Sequence, residues 1–250
     1  MEKSRSMRIG VAGAAGNTGR RIVDLALERG HQVTAIVRDV NRIQNADRAN
    51  LLVQAVSFDD EVALARAMQG LDVIINAAGN SNDGPAYAPL VQRIIRAADA
   101  ALGPGGRFWF FGGAAVLDVP GTEDLTLDLP RIPRIFEAHR ENLLAVRSTS
   151  LDWSMLCPGP MIDAPCSEPT DGLRLSTDTW PVPRPGVTKA LPRIFTSLAF
   201  RQTMPQLTIY YEDAARVIID HLERGGPFAG KRVGVALPPG EKRHKDYVTD

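Results

Sequence analysis

Three glycines spaced three residues apart separate an apolar segment from a helical pattern near the beginning of the chain. They are Gly13, Gly16 and Gly19, within the sequence VAGAAGNTGR. Residues 7–12 form an apolar run that predicts a buried strand, and residues 17–28 carry apolar side chains three and four positions apart, as in an amphipathic helix. A second apolar run, residues 31–37, follows Gly30 and predicts another strand. The sequence therefore predicts a strand, a glycine turn, a helix and a parallel strand, which together form one βαβ unit.

Strand and helix patterns keep alternating after this first unit. The predicted strands are residues 51–56, 72–77, 107–111, 152–157 and 232–237, and the predicted helices are residues 60–68, 85–102, 132–147 and 211–223. The strands are almost continuously apolar, which is typical of a parallel sheet covered by helices on both faces. We therefore expect an α/β fold built on a Rossmann-type doubly wound parallel sheet.

Residues 158–205 break this alternation, because they contain half of the 18 prolines and show only weak periodicity. A long irregular segment in a compact domain usually forms a binding loop or a lid. We predict a single domain over residues 1–250, with a small substrate or lid region at about residues 158–210. The polar residues 240–250 are expected to form a frayed tail.

The charge balance and the cysteine content exclude several functional classes. Lysine plus arginine and aspartate plus glutamate each number 29, so no excess of one sign favours nucleic acid or an anionic membrane as a partner. The chain has two cysteines and no His-Glu-x-x-His or Cys-x-x-Cys pattern, so we expect no metal site. No apolar stretch approaches the roughly 18 residues of a membrane span, and no signal-peptide core precedes the first strand. We expect a cytoplasmic monomer or homodimer that binds a small-molecule substrate.

A glycine turn between the first strand and the first helix suits the binding of a dinucleotide pyrophosphate. Gly13 would make the turn, Gly16 would let the pyrophosphate approach the backbone, and Gly19 would allow the helix to pack closely on the strand. The amide groups of Asn17 and Thr18 at the helix start, with the helix dipole, would favour the phosphate charge. The alternative is a tight turn that binds nothing, since a glycine triplet alone is a weak signal. The matching strand, helix and second strand favour dinucleotide binding.

The glycine spacing and several later segments resemble one known superfamily. The spacing is Gly-x-x-Gly-x-x-Gly, and the run RIGVAGAAGNTGRRIVDLALERGHQVTAIVRD resembles the atypical, or extended-type, short-chain dehydrogenase/reductases. More narrowly, the chain is similar to NAD(P)H-binding proteins that include the NADH-flavin reductase-like proteins, the flavin/biliverdin reductases and the NmrA-like proteins. Supporting segments are ALARAMQGLDVIINAAG, FFGGAAVLDVPG, LDWSMLCPGP and YYEDAARVIIDHLE. The resemblance covers nearly the whole chain except residues 165–204, and it implies a nicotinamide cofactor.

The resemblance assigns the adenosine half of the cofactor to the ends of the second and third strands. Arg38 follows the second strand, where an arginine can pair with a 2′-phosphate, so NADP(H) is preferred. The adjacent Asp39 keeps NAD(H) possible, and a solvated arginine at a strand end is the alternative reading of Arg38. Relatives often have an aspartate near the adenine at the end of the third strand. Here Ser57 would supply the hydrogen bond, and Phe58 would cover the ring.

The nicotinamide half is expected at the ends of the fourth, fifth and sixth strands. The residues predicted to contact it are Ala77, Ala78, Gly79, Asn80, Gly112 and Pro158. Small residues at strand ends permit backbone contact with a cofactor, although a plain strand-to-loop junction would have the same composition. Trp180, Phe195 and Phe200 would form an apolar lid over a flat substrate, with simple loop packing as the alternative.

The proton relay of many relatives is absent from this sequence. Those relatives have a serine at the end of the fifth strand and a Tyr-x-x-x-Lys motif on the next helix. Here Gly112 and Gly113 occupy the serine region. Ile135 stands at the tyrosine position and His139 at the lysine position. His139 is the remaining catalytic candidate, either as a proton donor or ribose partner near the nicotinamide, or else as a histidine of the core.

Two further side chains are expected to have structural roles. Asp213 lies near the start of the last predicted helix, where a carboxylate caps the helix and complements its dipole. Cys157 ends a buried strand and has no base associated with it in the sequence, so we interpret it as a buried thiol and not as a nucleophile.

These observations predict an NADP(H)-dependent oxidoreductase that delivers hydride to a flat conjugated molecule such as a flavin, a quinone or an enone. Solvent can supply the proton for such acceptors, so the missing relay is tolerated. A second hypothesis is an NmrA-like, non-catalytic protein that binds the dinucleotide and reports redox state to a protein partner. A third is an NAD-dependent epimerase or dehydratase of a nucleotide sugar, which the absent Tyr-x-x-x-Lys motif disfavours.

Overall fold

A computed structural model describes residues 6–79, 81–165, 169–183 and 192–245 of the chain. The strands are β1 (Arg8–Ala12), β2 (Gln32–Val37), β3 (Leu51–Ala55), β4 (Val73–Asn76), β5 (Arg107–Phe111), β6 (Asp152–Cys157), β7 (Met161–Ile162), β8 (Arg174–Thr177), β9 (Ile209–Tyr210) and β10 (Lys231–Ala236). The helices are α1 (Asn17–Glu28), α2 (Glu61–Met68), α3 (Tyr87–Leu102), α4 (Glu137–Arg147), α5 (Arg193–Leu207) and α6 (Tyr211–Ile219). None of the helices within these ranges is both long and apolar enough to cross a bilayer.

The main sheet has eight strands in the order β3-β2-β1-β4-β5-β6-β10-β8. Its neighbouring strands run parallel, apart from the antiparallel pair that β8 forms with β10 at one edge. The chain proceeds outward from β1 in one direction, returns, and then proceeds outward from β4 in the other. The order therefore reverses between β1 and β4, which is the point where ligands bind in sheets of this kind. The predicted doubly wound α/β fold is confirmed.

Helices cover both faces of the sheet and give the molecule two hydrophobic cores. On one face α1 packs against α6, and Ile22 and Ile218 are fully buried there. On the other face α3 packs against α2 and α4, and Ile94 and Val146 are fully buried there. The central strands are apolar on both sides because each side meets one of these cores.

The segment predicted to be irregular contains regular structure. Strands β7 and β8 and the 15-residue helix α5 all lie within residues 158–207, so the expectation of a long irregular segment is wrong for these parts. Four of the six buried residues of α5 are small or polar. The six are Thr196, Ser197, Ala199, Phe200, Thr203 and Leu207. Such a face gives little apolar periodicity, which explains why the sequence pattern does not reveal the helix.

The carboxyl-terminal segment is attached to the domain at Arg243. A guanidinium nitrogen of Arg243 lies 3.0 Å from the Asp213 carboxylate, and the guanidinium stacks 3.6 Å from the centre of the Tyr210 ring. Asp213 is fully buried and also accepts hydrogen bonds from the backbone N–H groups of Thr170 and Tyr210. The capping role predicted for Asp213 is confirmed by its bond to Tyr210. The predicted frayed tail is wrong as far as Arg243.

Candidate functional site

The first glycine of the turn packs directly against the end of β4. Gly13 has a φ of +80°, a region that suits glycine, and its N–H donates to the carbonyl of Ile36 at 3.0 Å. A Cβ on Gly13 would lie 2.6 Å from backbone atoms of Ala78. The turn thus joins the ends of β1, β2 and β4 at the point where the strand order reverses. Gly13 and Ala78, predicted as parts of one cofactor site, are brought together.

The other two glycines shape the start of α1. A Cβ on Gly19 would lie 2.1 Å from the carbonyl oxygen of Gly13, so only glycine lets the helix begin so close to the turn. Gly16 precedes the helix, and its N–H donates to the carbonyl oxygen of Gly13 at 2.9 Å. The N-cap residue of α1 is Gly16, which has no side chain to cap the helix, and the first turn contains no acidic residue. The N–H groups of Asn17 and Thr18 and the positive end of the helix dipole can therefore serve an anion, and this cradle fits a pyrophosphate.

Arg38 and Asp39 differ in their freedom to meet a ligand. Arg38 is exposed just beyond β2, and no hydrogen bond or ion pair joins it to the described residues. The carboxylate of Asp39 accepts hydrogen bonds from both the backbone and the side-chain amide of Asn41, each at 3.0 Å. Asp39 is thus engaged in its own turn, whereas the guanidinium of Arg38 remains available for a phosphate.

The two residues predicted near the adenine lie in different environments. Ser57 is exposed, and its hydroxyl accepts a hydrogen bond from the N–H of Asp59 at 3.3 Å. The ring of Phe58 is buried in the core that α2 and α3 cover, and the carbonyl of Phe58 accepts from Arg93 at 3.0 Å. The ring of Phe58 thus packs mainly in the core, and its contact with the adenine stays a prediction. Ser57 remains accessible.

The loop after β4 approaches the start of α3. The N–H of Ala77 donates to the carbonyl of Ala12 at 2.8 Å, which continues the contact between β4 and β1. Gly79 has a φ of +93°, and a Cβ there would lie 2.9 Å from the ring of Tyr87. Asn80, another predicted cofactor contact, lies outside the described residues. Small residues at this strand end thus allow the loop to run close to both the glycine turn and α3.

The ends of β5 and β6 meet α4. A Cβ on Gly112 would lie 2.4 Å from the side chain of Met155, and a Cβ on Gly113 would lie 3.1 Å from Nε2 of His139. The carbonyl of Pro158 accepts the N–H of Ala114 at 2.9 Å. The predicted residues Gly112, Pro158 and His139 therefore lie near the carboxyl ends of the strands, on the same side of the sheet as the glycine turn.

His139 is a buried, neutral histidine with a tyrosine partner. Its side chain is 5% exposed, and burial lowers the pKa of His139 to about 4, so the imidazole is uncharged at pH 7. Its Nδ1 lies 3.3 Å from the hydroxyl of Tyr87, and the ring of Phe136 stacks at 6.2 Å. Ile135, at the usual tyrosine position, is 41% exposed. His139 is both a core residue and a neighbour of Gly113.

Tyr87 is the residue near this site that sequence reasoning missed. It is the first residue of α3, and it reaches His139 of α4 although the two lie 52 positions apart in sequence. The available signal was an aromatic residue at the beginning of the helix that follows the Gly79 loop. That signal identifies a side chain near a strand end and does not identify its partner.

The three aromatic residues predicted to form a lid are not equivalent. Trp180 and Phe200 are buried with ring centres 5.0 Å apart, and the indole N–H of Trp180 donates to the hydroxyl of Thr126. Phe195 is 45% exposed. The expectation of an aromatic lid is therefore wrong for Trp180 and Phe200. Both rings belong to the core, and Phe200 packs α5 against it.

The described residues contain neither a reactive cysteine nor a cluster of side chains that could bind a metal ion. Burial raises the pKa of the Cys157 thiol, which leaves it protonated and unreactive. Within the ranges that the structure describes, no group of three or more histidine, cysteine, aspartate or glutamate side chains could hold a metal ion.

Comparison with known proteins identifies relatives in sequence and in structure. A family model described as NAD(P)H-binding matches residues 13–196. YwnB of Bacillus subtilis strain 168, an uncharacterized protein, is 31% identical over 165 residues, which cover 63% of this chain and 74% of YwnB. A candidate NADH-flavin reductase from Streptococcus pneumoniae TIGR4 superposes with a TM-score of 0.70 at 24% identity, over 93% of this chain and all of that one. A wide-type short-chain dehydrogenase/reductase from Veillonella parvula, solved with NADP, superposes with a TM-score of 0.68 at 18% identity, over 97% and 100% of the two chains. At these identities the two structures establish a common fold.

Proposed function

The chain belongs to the NAD(P)H-binding family whose model matches residues 13–196, and from that premise we propose that it is an NADP(H)-dependent reductase of the atypical short-chain dehydrogenase/reductase type, acting on a flat conjugated small molecule. The observation that carries the proposal is the glycine turn, which packs on the end of β4 and leads into the uncapped start of α1. A flavin, a quinone or an enone is the expected class of acceptor.

The preference for NADP(H) rests on the contrast between Arg38 and Asp39. A free guanidinium can pair with a 2′-phosphate, whereas a carboxylate already engaged with Asn41 is less able to bind the ribose hydroxyls of NAD(H). We expect Arg38→Ala to raise the Kd for NADPH at least tenfold, a loss of about 1.4 kcal/mol or more, and to change the Kd for NADH less than threefold. Calorimetric titration measures both constants.

The matched control for this variant is Arg224→Ala. Arg224 is also exposed, but it lies between α6 and β10, at the opposite edge of the sheet from Arg38. Its replacement should leave both constants unchanged. Equal weakening of NADPH and NADH binding by Arg38→Ala would contradict the proposed phosphate contact.

The reaction requires little from the protein beyond binding and orientation. The bound nicotinamide would supply a hydride, which gives the acceptor two electrons and one hydrogen, and solvent would supply the remaining proton. The glycines at 13, 16 and 79 would let the backbone approach the ligand closely. His139 would face the acceptor as a neutral group, since burial keeps it uncharged at pH 7.

A panel of acceptors tests the reductase proposal. Purified protein is mixed with NADPH or NADH and then with a flavin, a quinone or an enone, and the absorbance of the reduced nicotinamide is followed. Acceptor-dependent oxidation of NADPH is expected, while the same mixtures without protein give the background. Tight binding of NADPH without turnover on any member of the panel would overturn the proposal.

The second candidate function is an NmrA-like sensor that binds the dinucleotide without catalysis. The observation that favours it is the absence of the Tyr-x-x-x-Lys relay, with exposed Ile135 at the tyrosine position and buried His139 at the lysine position. A sensor should bind the oxidised and reduced cofactors with different Kd values and should retain a protein partner in only one of these states. Equal Kd values and no partner would reject it.

The proposal also includes the cellular location and the oligomeric state of the protein. We expect a cytoplasmic protein that is a monomer or a homodimer, with no nucleic-acid partner. Cell fractionation tests the first expectation, and light scattering coupled to size exclusion tests the second.

A further inference from the structure

Residues 158–163, called the strap below, lead from the carboxyl end of β6 to the beginning of α1. We propose that the ion pair between Asp163 of the strap and Arg21 of α1 is a latch, which holds the strap closed over the dinucleotide and slows both its entry and its release. This inference rests on the proposed function and adds to it a gate for the cofactor.

The strap begins and ends beside the two halves of the proposed cofactor site. Pro158 follows β6 and is one of the residues predicted to contact the nicotinamide, whereas Asp163 follows β7 and contacts the beginning of α1. Strands β4 and β5 lie between β1 and β6, so the ends of β1 and β6 are about 14 Å apart. Six extended residues reach about 20 Å, which is enough to cross the carboxyl ends of these strands. A dinucleotide that extends from the glycine turn to Pro158 would therefore run alongside the strap.

Every nitrogen of the Arg21 guanidinium has a partner in the protein. Its Nε lies 2.7 Å from a carboxylate oxygen of Glu212 in the first turn of α6, and Nη1 donates to the carbonyl of Asn17 at 2.9 Å. Its Nη2 lies 2.6 Å from the carboxylate of Asp163. The guanidinium also lies 5.2 Å from the centre of the Tyr211 ring, and the side chain is 16% exposed. Arg21 is thus fixed by α1 and α6, and it presents one nitrogen to the strap.

The strap is held differently at its two ends. The carbonyl of Pro158 accepts the N–H of Ala114 at 2.9 Å. The carbonyl of Pro160 accepts the N–H of Ile209 at 3.1 Å. Beyond Pro160 the strap forms the two-residue strand β7, which pairs with the equally short β9. The far end therefore has a short ladder of backbone hydrogen bonds, and the ion pair of Asp163 supplements it.

The latch can open while the rest of the domain stays folded. The side chain of Asp163 is 67% exposed, and the exposed guanidinium of Arg20 lies 3.7 Å from the same carboxylate oxygen. Water can solvate the carboxylate when the pair separates, and an ion pair of this kind changes an equilibrium by about fivefold at most. Loss of the latch should thus raise the open fraction of the strap about threefold to fivefold.

A gate has a kinetic signature that differs from that of a direct contact with the ligand. We expect the latch to form both with and without the cofactor, because protein groups alone hold Arg21 in place. Opening then limits entry and release alike, so loss of the latch should raise kon and koff together and leave Kd unchanged. A residue that contacts only the bound cofactor changes koff and therefore Kd.

Stopped-flow fluorescence of NADPH measures both rates. Mixing at several NADPH concentrations gives kon, and displacement by excess NADP+ gives koff. Asp163→Asn removes the charge at nearly constant size, and we expect both rates to rise about threefold to fivefold while Kd stays within twofold. Asp163→Glu restores the charge and should return both rates to within twofold of the wild type. The effect of Asp163→Asn should shrink as the salt concentration rises to about 0.5 M, because ions screen the exposed pair.

The matched control is Asp220→Asn. Asp220 ends α6 and lies 3.1 Å from Arg29, which ends α1, so this partly exposed ion pair joins the two helices at the opposite end from the glycine turn. Its removal should leave both rates unchanged. A rise of koff alone in Asp163→Asn would overturn the gate, as would wild-type rates in that variant or equal effects of the two substitutions.

Hydrogen exchange tests the latch in the protein without cofactor. The backbone amides of residues 161–163 should exchange about threefold to fivefold faster in Asp163→Asn than in the wild type, and at the wild-type rate in Asp220→Asn. Unchanged exchange in Asp163→Asn overturns the latch. A wild type that binds no NADPH would overturn both the gate and the proposed function. Binding without turnover would overturn the reductase proposal alone, because neither rate requires an acceptor.

Discussion

A single methyl group at Gly19 would collide with the turn on which α1 begins. Alanine in place of glycine inside a helix is normally favourable by about 0.5–1 kcal/mol, but here its Cβ would lie 2.1 Å from the carbonyl oxygen of Gly13. We therefore expect Gly19→Ala to lower the free energy of unfolding by about 1–3 kcal/mol, as overpacking does, and to weaken NADPH binding. Urea denaturation and calorimetric titration measure the two effects.

Gly16→Ala provides the comparison within the same turn. Gly16 has φ −78° and ψ 171°, which alanine adopts freely, and its Cβ would come no nearer than 3.3 Å to the Gly13 oxygen. This variant should stay within about 1 kcal/mol of the wild type in stability and still bind NADPH at least tenfold more weakly, because the methyl group occupies the approach of the pyrophosphate. Unchanged NADPH binding in Gly16→Ala would argue that the turn binds nothing.

His139 makes the stability of the protein depend on pH in a defined direction. Burial lowers its pKa from 6.5 to about 4, so between these values the unfolded chain binds more protons than the native protein. The free energy of unfolding should therefore fall as the pH falls from 6.5 to 4, by about 3 kcal/mol from this residue. Urea denaturation at several pH values tests this prediction.

The control for the pH prediction is His139→Gln, which keeps a polar side chain and cannot titrate. Other groups, including His31, whose pKa burial also lowers, contribute to both proteins and cancel in the difference. The stability difference between wild type and variant should thus shrink or reverse as the pH falls. Parallel stability curves would show that His139 does not carry the dependence.

At the scale of helices and strands, the sequence predicts the elements that have a continuous or periodic apolar pattern of their own. The bounds of α1, β5 and β6 match the predicted ranges, because each is a continuous or periodic apolar segment. Helix α5 is missed because its buried face includes Thr196, Ser197 and Thr203, so its packing depends on tertiary neighbours and not on its own pattern.

The candidate site likewise contains a part that the local sequence predicts and a part that depends on tertiary packing. The turn from Gly13 to Gly19 is a local feature, and its geometry follows from glycine spacing between a strand and a helix. The contact between Tyr87 and His139 depends on how α3 packs against α4, and no spacing in the sequence encodes it. The burial of Phe58 likewise depends on how α2 and α3 pack, which its local sequence does not encode.

Asp213 connects three separate elements and should therefore be more important than an ordinary helix cap. Its buried carboxylate accepts hydrogen bonds from Thr170, Tyr210 and Arg243. Asp213→Asn removes the charge opposite Arg243 and one of the two acceptor oxygens. We expect the free energy of unfolding to fall by about 3 kcal/mol and hydrogen exchange at the Thr170 amide to accelerate.

The neighbouring Asp171→Asn is the matched control for this prediction. Asp171 is fully exposed and pairs with Arg216, so its loss should leave both the stability and the exchange at Thr170 unchanged. Equal effects of the two substitutions would show that the buried network does not hold the segment before β8 to α6.

At the scale of the whole molecule, the sheet lies between two hydrophobic cores, one on each face. The glycine turn leads into α1 on the face covered by α1 and α6, whereas Tyr87 and His139 belong to α3 and α4 on the other face. The proposed cofactor would therefore contact elements from both faces. Its binding should stabilise the two cores together if they form one cooperative unit.

The three tryptophans report on the two faces separately. Trp109 lies on the face of α1 and α6, whereas Trp153 and Trp180 lie on the face of α3 and α4. Trp109→Phe leaves fluorescence from one face, and the double variant Trp153→Phe with Trp180→Phe leaves fluorescence from the other. Each variant's fluorescence midpoint in urea should coincide with its own circular dichroism midpoint, because the predicted single domain unfolds cooperatively.

NADPH at about 100 times its Kd should raise the unfolding free energy of both tryptophan variants by about 2.7 kcal/mol, since a ligand that binds only the native state stabilises the whole cooperative unit. A control titration with adenosine, which lacks the phosphates, should produce a much smaller increase. Separate midpoints for fluorescence and circular dichroism would reject the single domain. Stabilisation confined to one face would show that the faces unfold independently, with the cofactor held by only one of them.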